Sequence, residues 1–222
     1  MIKINRNFVE TLSKQQNSKQ TNGYKDSILY PLFSHSHTNF TDTLRNLSTY
    51  EMAHWINYSD RWLGNRTAKS NTLGYKRGTI LFVDLGSGNF GHEPSFTHPV
   101  IVLAQTKESI LIVPCSSKKY GKNFPEIIDA TPNDGFSSNT GIQTRSLRWI
   151  SKNRVLSVIG STTSSILNRI DEELLKLIPS HYKKISEKEA QLKKYEAENK
   201  FLKDYITSLE KKLEENNNTA GA

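Results

Sequence analysis

Two histidines lie six residues apart in the middle of the chain and could exchange protons with a substrate. They are His92 and His98, and an imidazole is a competent acid or base near neutral pH. Arg145, further along the chain, could bind a phosphate group through its guanidinium. The 30 Lys and Arg residues outnumber the 22 Asp and Glu residues, which gives a formal net charge of +8. That excess predicts a polyanionic partner or substrate.

The positive excess lies in the first 180 residues. Residues 181–222 carry nine basic and eight acidic side chains and are almost neutral. A nucleic-acid surface is therefore expected on the body of the protein rather than on a basic tail.

Composition limits the class of protein. Hydrophobic residues make up 35% of the chain and the mean hydropathy is −0.60, so part of the sequence must lie outside any core. Cys115 is the single cysteine, which excludes an internal disulfide and a multi-cysteine metal site and predicts a buried, small hydrophobic residue.

The apolar runs fall far short of the ~20 residues that a membrane helix needs, and residues 1–10 lack the apolar stretch of a secretory signal. We expect a cytoplasmic chain without a membrane segment.

Two motif-like patterns are rejected as functional sites. His35 and His37 have the spacing of metal ligands, but no third ligand lies nearby in the sequence, so no metal site is expected. The glycines of residues 86–91 match the spacing of a dinucleotide-binding or methyl-donor-binding loop. That chemistry requires a helix directly after the loop, and Pro94 and Pro99 prevent one. A methyltransferase is therefore disfavoured, and no cofactor is expected.

The first 74 residues divide into two predicted parts. Residues 1–39 are expected to be flexible, because residues 11–24 are mostly polar, with little apolar content. Residues 40–74 are predicted to form a helical extension, with apolar side chains at helical spacing from Phe40 to Trp62 and an N-cap at Thr41 or Asp42. Such a helix is expected to pack its apolar stripe on the domain that follows.

Residues 75–179 predict a mainly β domain. Short runs of Val, Ile, Leu and Phe alternate with Gly, Pro, Asn and Asp, which is typical of a small barrel or sandwich. A helix from Ser164 to Ile178 is expected to close the domain and to end at Pro179. The predicted strands are Thr79–Leu85, Val100–Gln105, Ser109–Val113, Ile127–Ala130, Gly141–Leu147 and Val155–Ser161.

Residues 180–215 repeat apolar side chains in heptads, which predicts a coiled coil flanked by Glu and Lys. Asn199 lies at a core position, where it would pair with its twin in a parallel dimer and fix the register. A single solvated helix is the alternative, and residues 216–222 are expected to fray. Position a carries Ile185, Leu192, Asn199, Ile206 and Leu213, and position d carries Lys188, Tyr195, Leu202 and Leu209.

Four segments of the β domain form a further pattern. They read KRG at 76–78 with VDLG at 83–86, GHE at 91–93 with THPVIVL at 97–103, IVPCSSK at 112–118, and IQTRS at 142–146. In this order and spacing, residues 75–178 resemble the PemK/MazF family of toxin endoribonucleases from toxin–antitoxin systems.

The resemblance implies a small SH3-like β-barrel that dimerises and cleaves single-stranded RNA without a metal. In that reaction a ribose 2′-hydroxyl attacks the adjacent phosphate, and the protein supplies proton transfer and charge stabilisation. It also implies an antitoxin that blocks the RNA groove. Ser116 occupies the position of the family's functional threonine and would contact the phosphate, and Glu93 would orient His98. The residues implied in RNA binding are Arg77, His92, Ser117, Lys118, Gln143 and Arg145.

Two positions depart from the family pattern and leave two functions open. His98 replaces an arginine, and Ile142 replaces an acidic residue; an imidazole lacks the permanent charge and bidentate grip of a guanidinium. The first function is a toxin-type endoribonuclease with His98 as acid or base, dimeric through the barrel and through residues 181–215. The second is a non-catalytic adaptor that binds nucleic acid or protein through the barrel and the coiled coil.

Overall fold

A computed structural model describes residues 4–15 and 17–220 of the chain, with side chains as far as residue 211. The chain forms two compact units. One extends to Lys69 and includes Gly86–Asn89, and the other comprises Ser70–Leu85 and the chain from Phe90 onward.

The first unit contains three helices: α1 (Arg6–Ser13), α2 (Leu29–Leu44) and α3 (Thr49–Asn65). The prediction that residues 1–39 are flexible is therefore wrong for α1 and for most of α2. Side-chain caps explain why these polar stretches form helices, since a cap satisfies amides that the first turn leaves unpaired. Asn5 accepts a hydrogen bond from the Phe8 amide at 3.2 Å. Asp26 accepts from the amides of Leu29 and Ile28, which hold the pKa of its carboxyl below the usual range.

The prediction of one helix running from Phe40 to Trp62 is wrong, because the chain leaves the helix between α2 and α3. Ser48 accepts a hydrogen bond from the Glu51 amide at 3.3 Å, and the Glu51 carboxylate accepts from the Ser48 amide at 2.9 Å. This capping box starts a new helix at Thr49. The hydroxyl and amide of Ser48 also lower the pKa of Glu51.

The second unit is built on an antiparallel sheet of seven strands. Along the sheet the order is β4-β5-β3-β2-β1-β7, and β6 pairs with β3. The strands are β1 (Thr79–Asp84), β2 (Thr97–Gln105), β3 (Ser109–Ser116), β4 (Ile127–Ala130), β5 (Thr140–Gln143), β6 (Arg148–Ser151) and β7 (Val155–Ser161).

The predicted strand Gly141–Leu147 is wrong at its C-terminal end, and β6 was not predicted. Thr144 donates hydrogen bonds to the Glu126 carbonyl through its amide at 3.2 Å and through its hydroxyl at 2.8 Å. Both bonds hold Thr144–Ser146 in a 3₁₀ turn, so the chain turns after β5 and forms β6 against β3.

The sheet curls because the two strands at the ends of its series, β6 and β7, are joined by a short turn. The neighbours β6-β3-β2-β1-β7 form a continuous series, and the 3₁₀ turn Lys152–Arg154 joins β6 directly to β7. The two ends of the series must therefore lie close together. No ladder joins β6 to β7 among the described residues, so the sheet is not closed by hydrogen bonds and the SH3-like barrel remains a prediction.

Two apolar clusters pack on opposite faces of this sheet. Val100 and Val102 belong to the cluster inside the curl, whereas Ile101 and Leu103 belong to the cluster beneath α4 (Ser164–Lys176). Strand β2 is thus buried on both faces, as its continuous apolar sequence indicates. On the outer side, Ile166 and Ile170 of α4 are almost completely buried.

The turn between β6 and β7 contains a buried lysine that sequence analysis missed. Lys152 is only 2% exposed. Its Nζ donates to the Leu73 carbonyl at 2.7 Å and to Oε1 of Gln105 at 3.0 Å, and it lies 5.9 Å from the centre of the Tyr75 ring. The same Gln105 oxygen accepts from the Tyr75 amide at 2.9 Å. One ammonium therefore connects the segment before β1, the end of β2 and the β6–β7 turn.

After α4 the chain enters α5 (Pro179–Ala220), a helix of 42 residues. Pro179 occupies its first position, where a missing amide costs nothing, so this proline both ends the preceding helix and begins the next. The helix passes Asn216 and continues to Ala220, and the predicted fraying of residues 216–222 stays a prediction. Residues 221–222 and the side chain of Leu213 lie outside the described part. The coiled coil remains a prediction. Within the described residues, no helix combines the length and apolar character that crossing a membrane requires.

Replacing Lys152 with methionine should lower the free energy of unfolding by about 1–3 kcal/mol, because the Leu73 carbonyl loses its ammonium donor while the apolar stem is kept. Denaturation by urea, followed by circular dichroism, measures this change. Lys107→Met at an exposed turn is the matched control, and it should remain within about 0.5 kcal/mol of the original protein. Equal stability of the two variants would mean that desolvation of the ammonium cancels its hydrogen bonds.

Candidate functional site

The pairing of β2 with β3 brings together the two residues predicted to be central to catalysis. Val100 lies opposite Pro114 in this antiparallel pair. Continuing the register by two residues places His98 across from Ser116, and opposing Cα atoms in such a pair are about 5 Å apart. Both side chains are half-buried, so both can be reached by a substrate at this end of the sheet.

The His98 ring is held by a backbone carbonyl. Its Nδ1 lies 3.0 Å from the carbonyl oxygen of Cys115, the residue before Ser116. A carbonyl oxygen can only accept a hydrogen bond, so Nδ1 must carry the proton. In the neutral imidazole, Nε2 then has a free lone pair and can accept a proton.

The predicted contact of Glu93 with His98 is replaced by another arrangement. Oε2 of Glu93 accepts from the Phe90 amide at 3.5 Å, and the Glu93 amide donates to the Phe90 carbonyl at 3.1 Å. Glu93 therefore braces the β1–β2 loop, and the Cys115 carbonyl orients the imidazole instead. The loop exposes His92 and the Phe90 ring, the latter 84% exposed.

Phe96, two residues before His98, has an unusual backbone conformation. Its φ is 69°, which is uncommon for a residue other than glycine and unfavourable for a bulky one. The Phe96 carbonyl accepts from the Leu85 amide at 2.8 Å. This contact ties the loop to the end of β1 directly before the chain enters β2.

A tight turn follows Ser116 and places basic groups beside it. Ser117 and Lys118 are exposed in the 3₁₀ turn Ser117–Lys119. A Cβ at Gly141, the partner of Ser116 on β5, would lie 2.7 Å from the carbonyl carbon of Lys119. Only glycine at position 141 allows this turn to pack against β5.

The polar residues of the segment IQTRS at 142–146 do not share one exposed surface. Ile142 is fully buried in the outer apolar cluster and Gln143 is 7% exposed. Arg145 is exposed and lies 3.9 Å from Glu126. It follows Gly141, the partner of Ser116, by four residues of chain, so the Cα atoms of Gly141 and Arg145 are about 13 Å apart or less.

Comparison with protein-family models identifies the family to which the sheet and α4 are related. Residues 76–178 match the model of the PemK-like, MazF-like toxin of type II toxin–antitoxin systems. This segment belongs to the PemK/MazF family. The resemblance seen in the sequence is thereby confirmed over the sheet and α4, and we call residues 76–178 the PemK/MazF domain. A comparison with curated protein sequences finds no match.

Solved structures similar to this chain include MazF from Deinococcus radiodurans, at 16% identity and a TM-score of 0.42, covering 48% of this chain and 98% of that one. A MazE–MazF structure from the same organism has 14% identity and a TM-score of 0.38, with 48% and 96% covered. An endoribonuclease in complex with its cognate antitoxin, from a mycobacterial species, has 16% identity and a TM-score of 0.35, with 46% and 90% covered.

Arg77 of the PemK/MazF domain has contacts within the fold, and its predicted contact with RNA stays a prediction. Its guanidinium donates to Asp171 of α4 at 2.6 Å and to the Leu103 carbonyl at 3.2 Å. It therefore connects the beginning of β1 and the end of β2 to α4, and these two bonds direct its guanidinium toward the protein.

The two rejected motifs lie in different parts of the fold. Turns and extended chain follow the glycines of residues 86–91, and the next element is β2. His37 lies in α2 near the rings of Phe33 and Phe40, and His35 contacts Asn39. Among the described residues, no group of three His, Cys, Asp or Glu side chains could hold a metal ion.

Sequence analysis missed the backbone carbonyl that orients His98 and the exposed aromatic ring of Phe90. A carbonyl has no signature in the sequence, because every residue has one. Phe90 was available as a signal, since an aromatic residue between two glycines in a predicted loop has no apolar neighbours to cover it.

Cys115, adjacent to this site, should not react as a nucleophile in the folded protein. Burial raises the pKa of its thiol, so the thiol stays protonated at pH 8, and the thiolate is the reactive form. A disulfide exchange reagent should label it only after unfolding in guanidinium. Rapid labelling of the native protein at pH 8 would contradict the buried position.

Proposed function

We propose that the PemK/MazF domain is an endoribonuclease that cleaves single-stranded RNA without a metal. The observation that supports this most is the contact of His98 Nδ1 with the Cys115 carbonyl at 3.0 Å, inside a segment that matches a toxin family. It leaves Nε2 available as a base beside the hydroxyl of Ser116. A net charge of +8 suits a polyanionic substrate.

The proposed reaction uses the RNA's own nucleophile. Nε2 of His98 takes the proton from a ribose 2′-hydroxyl, and the 2′-oxygen bonds to the adjacent phosphorus while the bond to the 5′-oxygen breaks. The 5′-oxygen receives a proton from an acid, for which the exposed His92 is the candidate. The products are a 2′,3′-cyclic phosphate and a 5′-hydroxyl end.

The remaining groups have supporting roles in this proposal. The Ser116 hydroxyl donates to a phosphate oxygen as negative charge develops on it, and Ser117 and Lys118 contact the backbone beside it. Arg145, in the turn after β5, contacts another phosphate of the same RNA strand, about 13 Å or less from the phosphate beside Ser116. Phe90 stacks on a base, which is the usual way proteins hold single-stranded RNA. Glu93 keeps the loop with Phe90 and His92 in place.

Two partners are part of the proposal. The family description places its members in toxin–antitoxin systems, so an antitoxin that covers the RNA-binding surface is expected, and both act in the cytoplasm. A second copy of the domain is expected to pair through β7, which ends the series of paired strands. This strand exposes Leu156, Val158 and Ile159, between 40% and 61%, and exposed apolar side chains on an edge strand favour association.

A non-catalytic adaptor is the second candidate, and one observation favours it. Three positions of the family-like segments are used within the fold: Ile142 is in the core, Gln143 is buried and Arg77 binds Asp171. An adaptor would keep the exposed surface of Lys118 and Arg145 for binding without needing the imidazole.

Purified protein should cut a mixed single-stranded RNA in the presence of a chelator, at discrete positions and with cyclic-phosphate ends. His98→Ala should lower the rate by about 10²-fold or more, because it removes the base, and Ser116→Ala should lower it less. Sequencing of the fragment ends measures both. Intact RNA with retained RNA binding would instead establish the adaptor.

Imidazole added to His98→Gly distinguishes a base from a merely structural histidine. A base that has been deleted should be replaced in part by the added imidazole, so cleavage should recover with increasing imidazole concentration. Thermal unfolding of His98→Gly, with and without imidazole, is the control for stability. Recovery of the melting temperature without recovery of cleavage would argue against catalysis by His98.

Lys118→Gln should weaken binding of RNA and reduce the slope of log K against log salt by about 0.7, the value for one phosphate contact on a single strand. Lys107→Gln is the matched control, since Lys107 is also exposed but lies in the β2–β3 turn, at the opposite end of β2 from His98. Fluorescence anisotropy with a labelled RNA measures both. Equal slopes for the two variants would remove Lys118 from the RNA-binding surface.

A further inference from the structure

We infer that α5 pairs with α5 of a second copy of this chain as a parallel, in-register, two-stranded coiled coil. This inference does not depend on the proposed function, because it concerns residues outside the PemK/MazF domain. It commits to one partner, the same helix of another copy, and to one orientation.

The first observation is an exposed apolar stripe at heptad spacing. Leu192, Leu202, Ile206 and Leu209 lie at positions a and d of α5 and are between 39% and 58% exposed. These positions recur every three and four residues, so they form one seam along the helix. A helix of this kind gains most of its stability from burying such a seam against a partner.

The second observation is the charge pattern beside the seam. In a parallel, in-register pair, position g of one helix faces position e of the next heptad on its partner. Lys184 then faces the partner's Glu189, and Glu198 faces the partner's Lys203. These are both attractive pairs.

The two remaining pairs in this arrangement carry no repulsion. Gln191 faces the partner's Glu196, and Tyr205 faces the partner's Glu210. Of the four g-to-e pairs that begin between residues 184 and 205, two are attractive and none joins like charges. The pattern therefore complements a second copy of the same helix.

The third observation is the position of Asn199 in the seam. In register, the two Asn199 amides lie opposite each other and can form a hydrogen bond. A slip of one heptad places each amide against Leu192 or Ile206, which leaves a polar group unpaired in an apolar seam. An antiparallel arrangement pairs position a with position d, so Asn199 would face Lys188, Tyr195, Leu202 or Leu209 and never a second Asn199.

Oxidative cross-linking of the full-length protein tests this pairing directly. Leu202→Cys introduces a thiol at position d, where the two copies face each other in the parallel register. Phe201→Cys, one residue earlier, is the matched control, because Phe201 is also exposed, at 69%, but lies at position c outside the seam. Cys115 is buried in both variants, so it should not contribute.

The expected result is complete conversion of Leu202→Cys to a covalent dimer under mild oxidation and little conversion of Phe201→Cys. Equal behaviour of the two variants would overturn the inference, even if the sheets associate. Dimers formed only through β7 give no reason for position 202 to cross-link in preference to position 201, so failure of the coiled coil is separable from failure of the association through β7. RNA cleavage is measured separately and does not enter this test.

Charge exchange at the flanking positions tests the parallel register. In the Leu202→Cys background, Lys203→Glu places two glutamates opposite each other and should slow cross-linking. Adding Glu198→Lys restores an attractive pair and should restore the rate. Glu198 and Lys203 are five residues apart and are not neighbours on one helix, so recovery would reflect contact between copies. If Lys203→Glu slows cross-linking and Glu198→Lys does not restore it, the in-register parallel arrangement is wrong.

Discussion

A buried ammonium group imposes the constraint on which the sheet depends. A charged group removed from water must be hydrogen-bonded within the protein, since an unpaired one costs several kcal/mol. Lys152 meets this requirement with a carbonyl before β1 and an amide oxygen at the end of β2. Because Lys152 itself lies between β6 and β7, these bonds fasten the turn that joins the two ends of the strand series to the middle of that series. The pairing path curls the sheet, and these bonds hold the curled sheet together.

The candidate site lies at the end of β2 that is farther from Lys152. At the far end of β2 from Gln105, the strands leave the core, and the loop before β2 is held by the Phe96 carbonyl and the Glu93 carboxylate. Buried residues of β2 and β3, as far as the pair Val100 and Pro114, determine the register of these two strands. Continued by two residues, this register puts His98 across from Ser116. The imidazole is then positioned by backbone alone, which leaves its second nitrogen for chemistry. A rigid sheet thus presents a small number of groups at its rim, which is a common way for proteins to place catalytic side chains.

The bounds of β4 and β7 are predicted residue for residue, because turn-forming residues flank these short apolar runs. The predictions find β2 and β3 but miss three residues of each at the end near the candidate site, where Thr97, His98 and Ser116 interrupt the apolar pattern. The other features that the sequence misses depend on a single polar contact. The break between α2 and α3 had a local signal, the Ser48–Glu51 capping box, but the apolar spacing from Phe40 onward masked it. The burial of Lys152 had none, because an isolated lysine in a turn is ordinarily solvated. At the site, the family-like spacing predicted His98 and Ser116, which lie across from each other when the β2–β3 register is continued. Spacing does not reveal that Arg77 contacts the distant Asp171, or that Glu93 contacts the nearby Phe90 instead of His98.

The short connection between α4 and α5 has a consequence for assembly. Only Leu177 and Ile178 separate α4, which packs on the sheet, from the 42-residue helix. Two copies joined along α5 would therefore keep their sheet domains within a short tether of each other. Tethering of this kind raises the effective concentration of one domain around the other to about the millimolar range. An association between the sheets too weak to be seen at cellular dilution would then be sufficient to keep them paired.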